Sequence, residues 1–135
     1  MTVALEIVSP EKLLLARPVD MVVIPAEEGD IGVLPGHAPM IVTLRGGIAN
    51  LYEGSKITDK LFIAGGFAEI TPERCTVLAD AVYLPAELSK ATGERRLAEA
   101  EAAWEAVDKM DVALRDAALA ALQIARAMIA AAEAP

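Results

Sequence analysis

Catalysis needs a base, a nucleophile or a set of metal ligands within hydrogen-bond reach of one another, and this 135-residue sequence offers few of them. Its single histidine, His37, stands in the stretch PAEEGDIGVLPGHAPM, Pro25 to Met40, downstream of Glu27, Glu28 and Asp30. One histidine excludes a multi-histidine metal site, and EEGD does not have the Asp-x-Asp-x-Asp-Gly spacing of a calcium loop. No Gly-x-Ser-x-Gly or equivalent nucleophile motif is present for His37 to serve. The residue is expected to be a loop histidine that hydrogen-bonds locally beside the Pro35-Gly36 turn. The glycine pairs Gly46-Gly47 and Gly65-Gly66 match neither phosphate-loop pattern, each of which must open a helix. They are expected at strand ends or bulges. Cys75, the one cysteine, lies in the alternating stretch ERCTVLAD and is expected to be a buried strand residue rather than a reactive thiol. It excludes an internal disulfide and fits a reducing compartment. These residues together make no enzyme.

The formal charge of -8 and the pI near 4.6 set most faces of the molecule against a phosphate backbone, so nucleic acid is not an expected partner. The opening MTVALEIVSPEK shows neither a basic-then-apolar export signal nor an Arg- and Ser-rich transit pattern. The apolar run 117–122 ends at Gln123, far short of the ~20 residues that a membrane span requires. A soluble chain is expected.

The sequence changes character near Leu88. Seven of eight prolines and eight of nine glycines precede that point, and 17 of the 45 residues after Lys90 are alanine. The first part consists of short runs rich in Val, Ile and Leu: VALEIV, KLLLA, DMVVIP, MIVTL, GIANLY, KLFIAGG, FAEI and CTVLADAVYL. Their spacing predicts an all-β sandwich or barrel, with SPEK, RGG, YEGSK and TPER as hairpin connections. In the second part Leu97, Ala100, Trp104 and Val107 recur every three or four residues, which predicts a helix from about Thr92 to Asp108. Asp111 in DKMD is an N-cap residue for a second helix reaching about Ala132, and the two should fold back as a hairpin.

That second helix gathers Arg115, Asp116, Gln123 and Arg126 into one arc, while Leu114, Leu122, Ile124, Met128 and Ile129 spread over the remainder. It therefore needs more than one apolar neighbour, because each large side chain left in water forgoes roughly 1.5–3 kcal/mol of burial. Either the β domain or another protein must cover its far side. Alanine contributes little area, so the hairpin should be held weakly in any one place, as a switch element would be.

EEGDIGVLPGHAPMIVTLRGG, with EIVSPEKLL upstream and IAGGFAEITPERCTVLADAV downstream, resembles the epsilon subunits of F-type ATP synthases, the counterparts of the mitochondrial delta subunit. The resemblance runs the whole length of the chain. Its most specific part is Gly-x-(Ile/Leu)-Gly-x-x-Pro-Gly-His-Ala-Pro at Gly29 to Pro39. It implies a ten-stranded β-sandwich over residues 1–86, followed by an antiparallel two-helix hairpin over residues 87–135. It also implies a non-catalytic subunit of the central stalk, peripheral to the cytoplasmic side of the bacterial inner membrane. In the family the sandwich binds the gamma subunit and sits on the c-subunit ring, coupling proton flow to rotation. Glu28, Asp30 and His37 are the contact residues the resemblance suggests.

The family's hairpin either lies on the sandwich or extends into the alpha/beta catalytic head, where basic residues meet an acidic segment and block hydrolysis. The basic residues of this tail are Arg95, Arg96, Lys109, Arg115 and Arg126, against eight acids after Lys90. Weak inhibition of ATP hydrolysis is the expectation. Some members bind ATP through an Ile/Leu-Asp-x-x-Arg-Ala string, for which Leu122, Gln123, Arg126 and Ala127 are the matching residues here. Gln123 replaces the acid, so a polar stripe facing solvent is expected ahead of ATP as a weak regulatory ligand, and no other cofactor is implied. Two rivals from other classes are a stand-alone nucleotide sensor and a small-molecule enzyme built on a sandwich. The first is open to ATP titration, and the second has no motif to support it.

Overall fold

The computed structural model describes residues 1–133. Among these, eight strands precede two helices. The strands are β1 (Val3–Val8), β2 (Leu13–Val19), β3 (Met21–Ala26), β4 (Gly29–Val33), β5 (Met40–Glu53), β6 (Lys56–Ile70), β7 (Arg74–Ala79) and β8 (Val82–Tyr83). A single 3-10 turn, Pro85–Glu87, leads to α1 (Lys90–Ala106) and α2 (Val112–Glu133). The hydrogen-bonded order is β2-β1-β7-β6-β5-β3-β4, with β8 on β6; β1 and β7 run parallel and the other neighbours antiparallel.

The ladder closes into a sandwich because β5 and β6, 14 and 15 residues long, belong to both layers. Residues 40–44 of β5 pair with residues 66–70 of β6, which continue through β7 to β1 and β2. Residues 46–53 of β5 pair with residues 56–64 of β6, flanked by β3 and β4 on one side and β8 on the other. This corrects the ten-strand expectation to eight strands, and it corrects RGG from a hairpin connection to the interior of β5. Both glycine pairs bend a strand without ending it. At Gly66 (φ +122°) an added Cβ would lie 2.2 Å from the Leu78 carbonyl oxygen, so the bend admits only a residue without a side chain.

The other turn signals hold. Thr71 and Arg74 close the β6–β7 turn, with Thr71 N–H donating to Arg74 O at 2.8 Å. Ser9 N–H donates to Lys12 O at 3.0 Å between β1 and β2. Inner faces of both layers meet in one core, where Val3, Leu5, Ile7, Val22, Ile24, Val33, Leu51, Ile63 and Val77 have no exposed surface. Cys75 lies among them, and burial pushes its thiol up to about 11.

The helices form the expected hairpin with slightly shifted bounds. Ser89 caps α1, its Oγ accepting from Thr92 N–H at 3.1 Å, and Asp111 caps α2 through Leu114 N–H at 3.2 Å. The helices approach closely at Gly93, where an added Cβ would meet Ile129 Cγ1 at 2.7 Å. Ala100 is buried on the same side of α1, and Leu97, Trp104 and Val107 are half-buried.

Candidate functional site

The stretch that holds His37 is more ordered than a loop. Its first half forms a β-hairpin, β3 paired with β4 from Val22–Val33 to Ala26–Gly29, turning at Glu27 and Glu28. Glu28 is exposed at the tip. Asp30, the second residue of β4, accepts from Arg45 Nη2 at 2.6 Å, while Arg45 Nη1 donates to Ala26 O at 2.5 Å. One guanidinium on β5 therefore fixes both the carboxylate and the backbone of the turn. His37 belongs to the opposite end of β4. Its Nδ1 lies 2.8 Å from Ala38 O, its N–H donates to Leu34 O at 3.2 Å, and the neighbouring Gly36 N–H donates to Pro72 O at 2.8 Å. The three contact residues thus divide into an acidic turn, Glu28 and Asp30, and a separate histidine tied to the β6–β7 turn. Among the described residues no three His, Cys, Asp or Glu side chains gather where a metal ion could sit.

Between these ends lies a surface that sequence reasoning did not single out. Thr43 pairs with Phe67 and Ile41 with Glu69 on adjoining strands, and Ile41 and Phe67 are 70% and 48% exposed. Met40, one residue earlier, is exposed at the strand end but belongs to the opposite face, where it pairs with Ile70. The signal was present in MIVTL, where consecutive residues are apolar although a sheet with one wet face alternates. Such a run marks a strand whose outer face expects cover.

The sandwich provides the second cover that α2 requires. Phe62, Ala64 and Met128 are buried together, with Ile48, Ala81, Tyr83, Leu88, Ile124, Ala127 and Ala131 packed around them. The rings of Phe62 and Tyr83 lie 6.4 Å apart at 46°. Gln123 was placed on a stripe facing solvent, and this is corrected. Its Oε1 accepts from Gly46 N–H and its Nε2 donates to Gly46 O, both at 2.7 Å. Leu122 is buried and Ala127 half-buried, whereas Arg126 is exposed and lines a groove between the helices with Glu101, Trp104, Glu105 and Leu119. Gln123 is thus turned to the sandwich, while Arg126, one turn along α2, faces the groove between the helices.

The five basic residues of the tail do not form a common stripe. Arg95 is exposed; Arg96 reaches Tyr83 Oη at 3.5 Å and Met128 Sδ at 3.4 Å. Lys109 donates to Trp104 O at 2.5 Å with its ammonium 4.7 Å from the indole centroid, and Arg115 pairs with Asp116 at 3.5 Å. The hairpin tip is apolar and open, with Met110, Val112 and Leu114 all more than half exposed. No helix among the described residues is long and apolar enough to cross a membrane.

The described residues thus form a β-sandwich with a two-helix hairpin docked on its side. Residues 2–85 match the family model described as ATP synthase, Delta/Epsilon chain, beta-sandwich domain. The chain is 64% identical over 129 residues, 96% of each chain, to the ATP synthase epsilon chain of Granulibacter bethesdensis. It is 48% identical to that of Gluconacetobacter diazotrophicus over its whole length and 96% of the relative. In three dimensions it is similar to a chain in the Euglena gracilis mitochondrial ATP synthase structure of OSCP, F1 and c-ring. There the TM-score is 0.74 and the identity 28%, covering 96% of this chain and 81% of that one. The chain belongs to the ATP synthase epsilon chain family, and is a non-catalytic subunit of the F-type enzyme.

Proposed function

We propose that this chain works in the central stalk as a rotor component, coupling rotation of the c-subunit ring to the catalytic head from the cytoplasmic side of the bacterial inner membrane. The sandwich would bind gamma and rest on the c-ring, and the tip of the hairpin would reach the alpha/beta head when extended. The observation that carries this reading is the uncovered apolar face of β5 and β6 at Ile41 and Phe67, beside a turn whose acids are held in place by Arg45. Exposed ion pairs at such a turn are worth only about 0–1 kcal/mol each, so Glu28 and Asp30 orient the contact while the apolar face supplies affinity.

Replacing Ile41 and Phe67 by Asp in the full chain tests the surface. The variant is expected to keep the wild-type circular dichroism and to stop co-purifying with gamma and the c-ring; undiminished co-purification refutes the assignment. The regulatory part of the reading is tested with the catalytic head reassembled with the full chain or with one ending at Leu88. Because acids outnumber the basic residues and three of the five, Arg96, Lys109 and Arg115, are engaged locally, the head should hydrolyse ATP at nearly the same rate with either. A large rise on truncation would instead make the hairpin a brake. As for nucleotide, Gln123 is occupied by Gly46, and the Leu122 to Ala127 string is better read as a docking element. Calorimetric titration of the full chain with millimolar ATP should show no binding heat, and saturable binding at that concentration would reverse the reading.

A further inference from the structure

We infer that Gln123 acts as a surrogate rung of the β-sheet, its side-chain amide filling a gap in the β3–β5 ladder and thereby fixing where α2 docks. The gap has a backbone cause. β3 pairs with β5 at Met21, Val22 and Val23, then loses register and rejoins only at Ala26. Between these positions lies Pro25, which has no N–H to donate, and its Cβ would stand 2.8 Å from a Cβ added at Gly47. Opposite the gap is Gly46. Its neighbour across β6 is Ala64, whose N–H points away from β5 to Ala81 O at 2.9 Å. In an antiparallel ladder this makes Gly46–Ala64 a pair without mutual hydrogen bonds, so both backbone groups of Gly46 face the side that β3 has vacated.

A primary amide is the side chain that suits this vacancy, because it offers one acceptor and one donor in the planar arrangement of a peptide group. Gln123 uses both on the one residue, at 2.7 Å each. The approach also requires glycine. A Cβ at residue 46 would lie 2.9 Å from Ile124 Cα and 3.2 Å from Gln123 Oε1, against the backbone of the helix itself. The rest of the seam mixes four alanines with Phe62, Tyr83, Ile124, Met128 and other large side chains, whose apolar contacts are non-directional; the amide pair has a single register. Leaving the gap costs little when water can replace the amide, which makes the contact reversible. Position 123 therefore selects one docked arrangement of α2, and its loss should free the hairpin without unfolding the sandwich.

Amide hydrogen exchange of the full chain, followed by nuclear magnetic resonance, reads the rung directly. Gly46 N–H should exchange at least tenfold faster in Gln123→Leu than in the wild type, while Ala64 N–H, bonded to Ala81 O in the same part of the sandwich, keeps its rate. Equal Gly46 protection in both proteins overturns the inference. If both amides accelerate together because the variant unfolds, Gln123→Glu decides within one protein. The ionised carboxylate can still accept from Gly46 N–H, but it has no donor for Gly46 O and is repelled by that oxygen, which drives the side chain out; protonation restores donor and acceptor together. Glu27, Arg45, Asp80 and Asp116 line the same cleft. Arg45 is committed to Ala26 O and Asp30, and the three acids add repulsion to an ionised group. Gly46 protection, normalised to Ala64, should therefore be lost at pH 7 and recovered near pH 4 in Gln123→Glu, with no such recovery in Gln123→Leu or in the wild type. Protection in Gln123→Glu that does not change between the two pH values overturns the inference as well.

Discussion

The sandwich core and the seam under α2 are both apolar, yet they hold the molecule differently. In the core, β-branched and leucine side chains from seven strands have almost no exposed surface. The seam buries Phe62, Ala64 and Met128 almost fully, and three of the seven residues packed around them are alanine. Large side chains from seven strands interlock across the core; the smaller seam, mixed in size, gains a directional register from a pair of hydrogen bonds at Gly46. Adjacent parts of one small protein can thus be a rigid body and a releasable one.

The comparison would fail if large side chains on the two sides of the boundary were equally costly to remove. Leu5→Ala in the core should lower global stability by about 2–5 kcal/mol in chemical denaturation. Met128→Ala should instead release the hairpin first, as early exchange of α2 amides with the sandwich amides still protected. A single cooperative loss of both would show one unit rather than two.

A smaller effect separates the two regions by pH. Burial raises the Cys75 thiol from an ordinary 9.0 to about 11. A raised value means that the folded state keeps a proton the unfolded chain gives up. The associated stability is complete below pH 9 and is lost as pH rises towards 11, by about 2–3 kcal/mol. Urea midpoints measured from pH 8 to 11 should fall more steeply in the wild type than in Cys75→Val, and the difference should appear in the sandwich transition alone. Parallel curves for the two proteins would remove Cys75 from the core's alkaline sensitivity.

The smallest effect belongs to the open end of the hairpin. Lys90 at the start of α1 pairs with Glu133 at 3.1 Å, and its ammonium is raised above 10.5 by the hydrogen bond to Glu133 and then by the charges of Glu133 and Glu94. The contact is exposed on both sides and screened by salt. Its contribution is present below pH 10.5 and is lost above it. Lys90→Ala should raise exchange at the last turn of α2 by no more than a few fold, and 1 M salt should abolish the difference between the proteins. A larger change would mean that this end pins the hairpin, in place of Gly46.

Much of this organisation was legible in the order of the residues. The change from proline and glycine punctuation to alanine located the end of the sandwich, Asp111 marked the start of α2, and the three-and-four spacing of Leu97, Ala100 and Trp104 marked the side of α1 that faces it. The string from Gly29 to Pro39 carried the family. Two readings failed for one reason. RGG, which contains Gly46-Gly47, reads in the sequence as a hairpin connection, and Gln123 reads as a solvent residue. A glycine that ends a strand and a glycine that lets another chain segment approach are identical in sequence, as are a glutamine in water and one that bonds a distant backbone.

Local chemistry is carried by neighbours in the chain, and so the sequence by itself determined the elements, their caps, the apolar sets that must be buried and the absence of a catalytic motif. Contacts between Gly46 and Gln123, 77 residues apart, and between the turn at Asp30 and Arg45 on β5 depend on how the long strands bend over one another. Only the tertiary structure decided them, because a backbone group left unpaired by a break in one ladder becomes a binding site only for what the fold brings beside it.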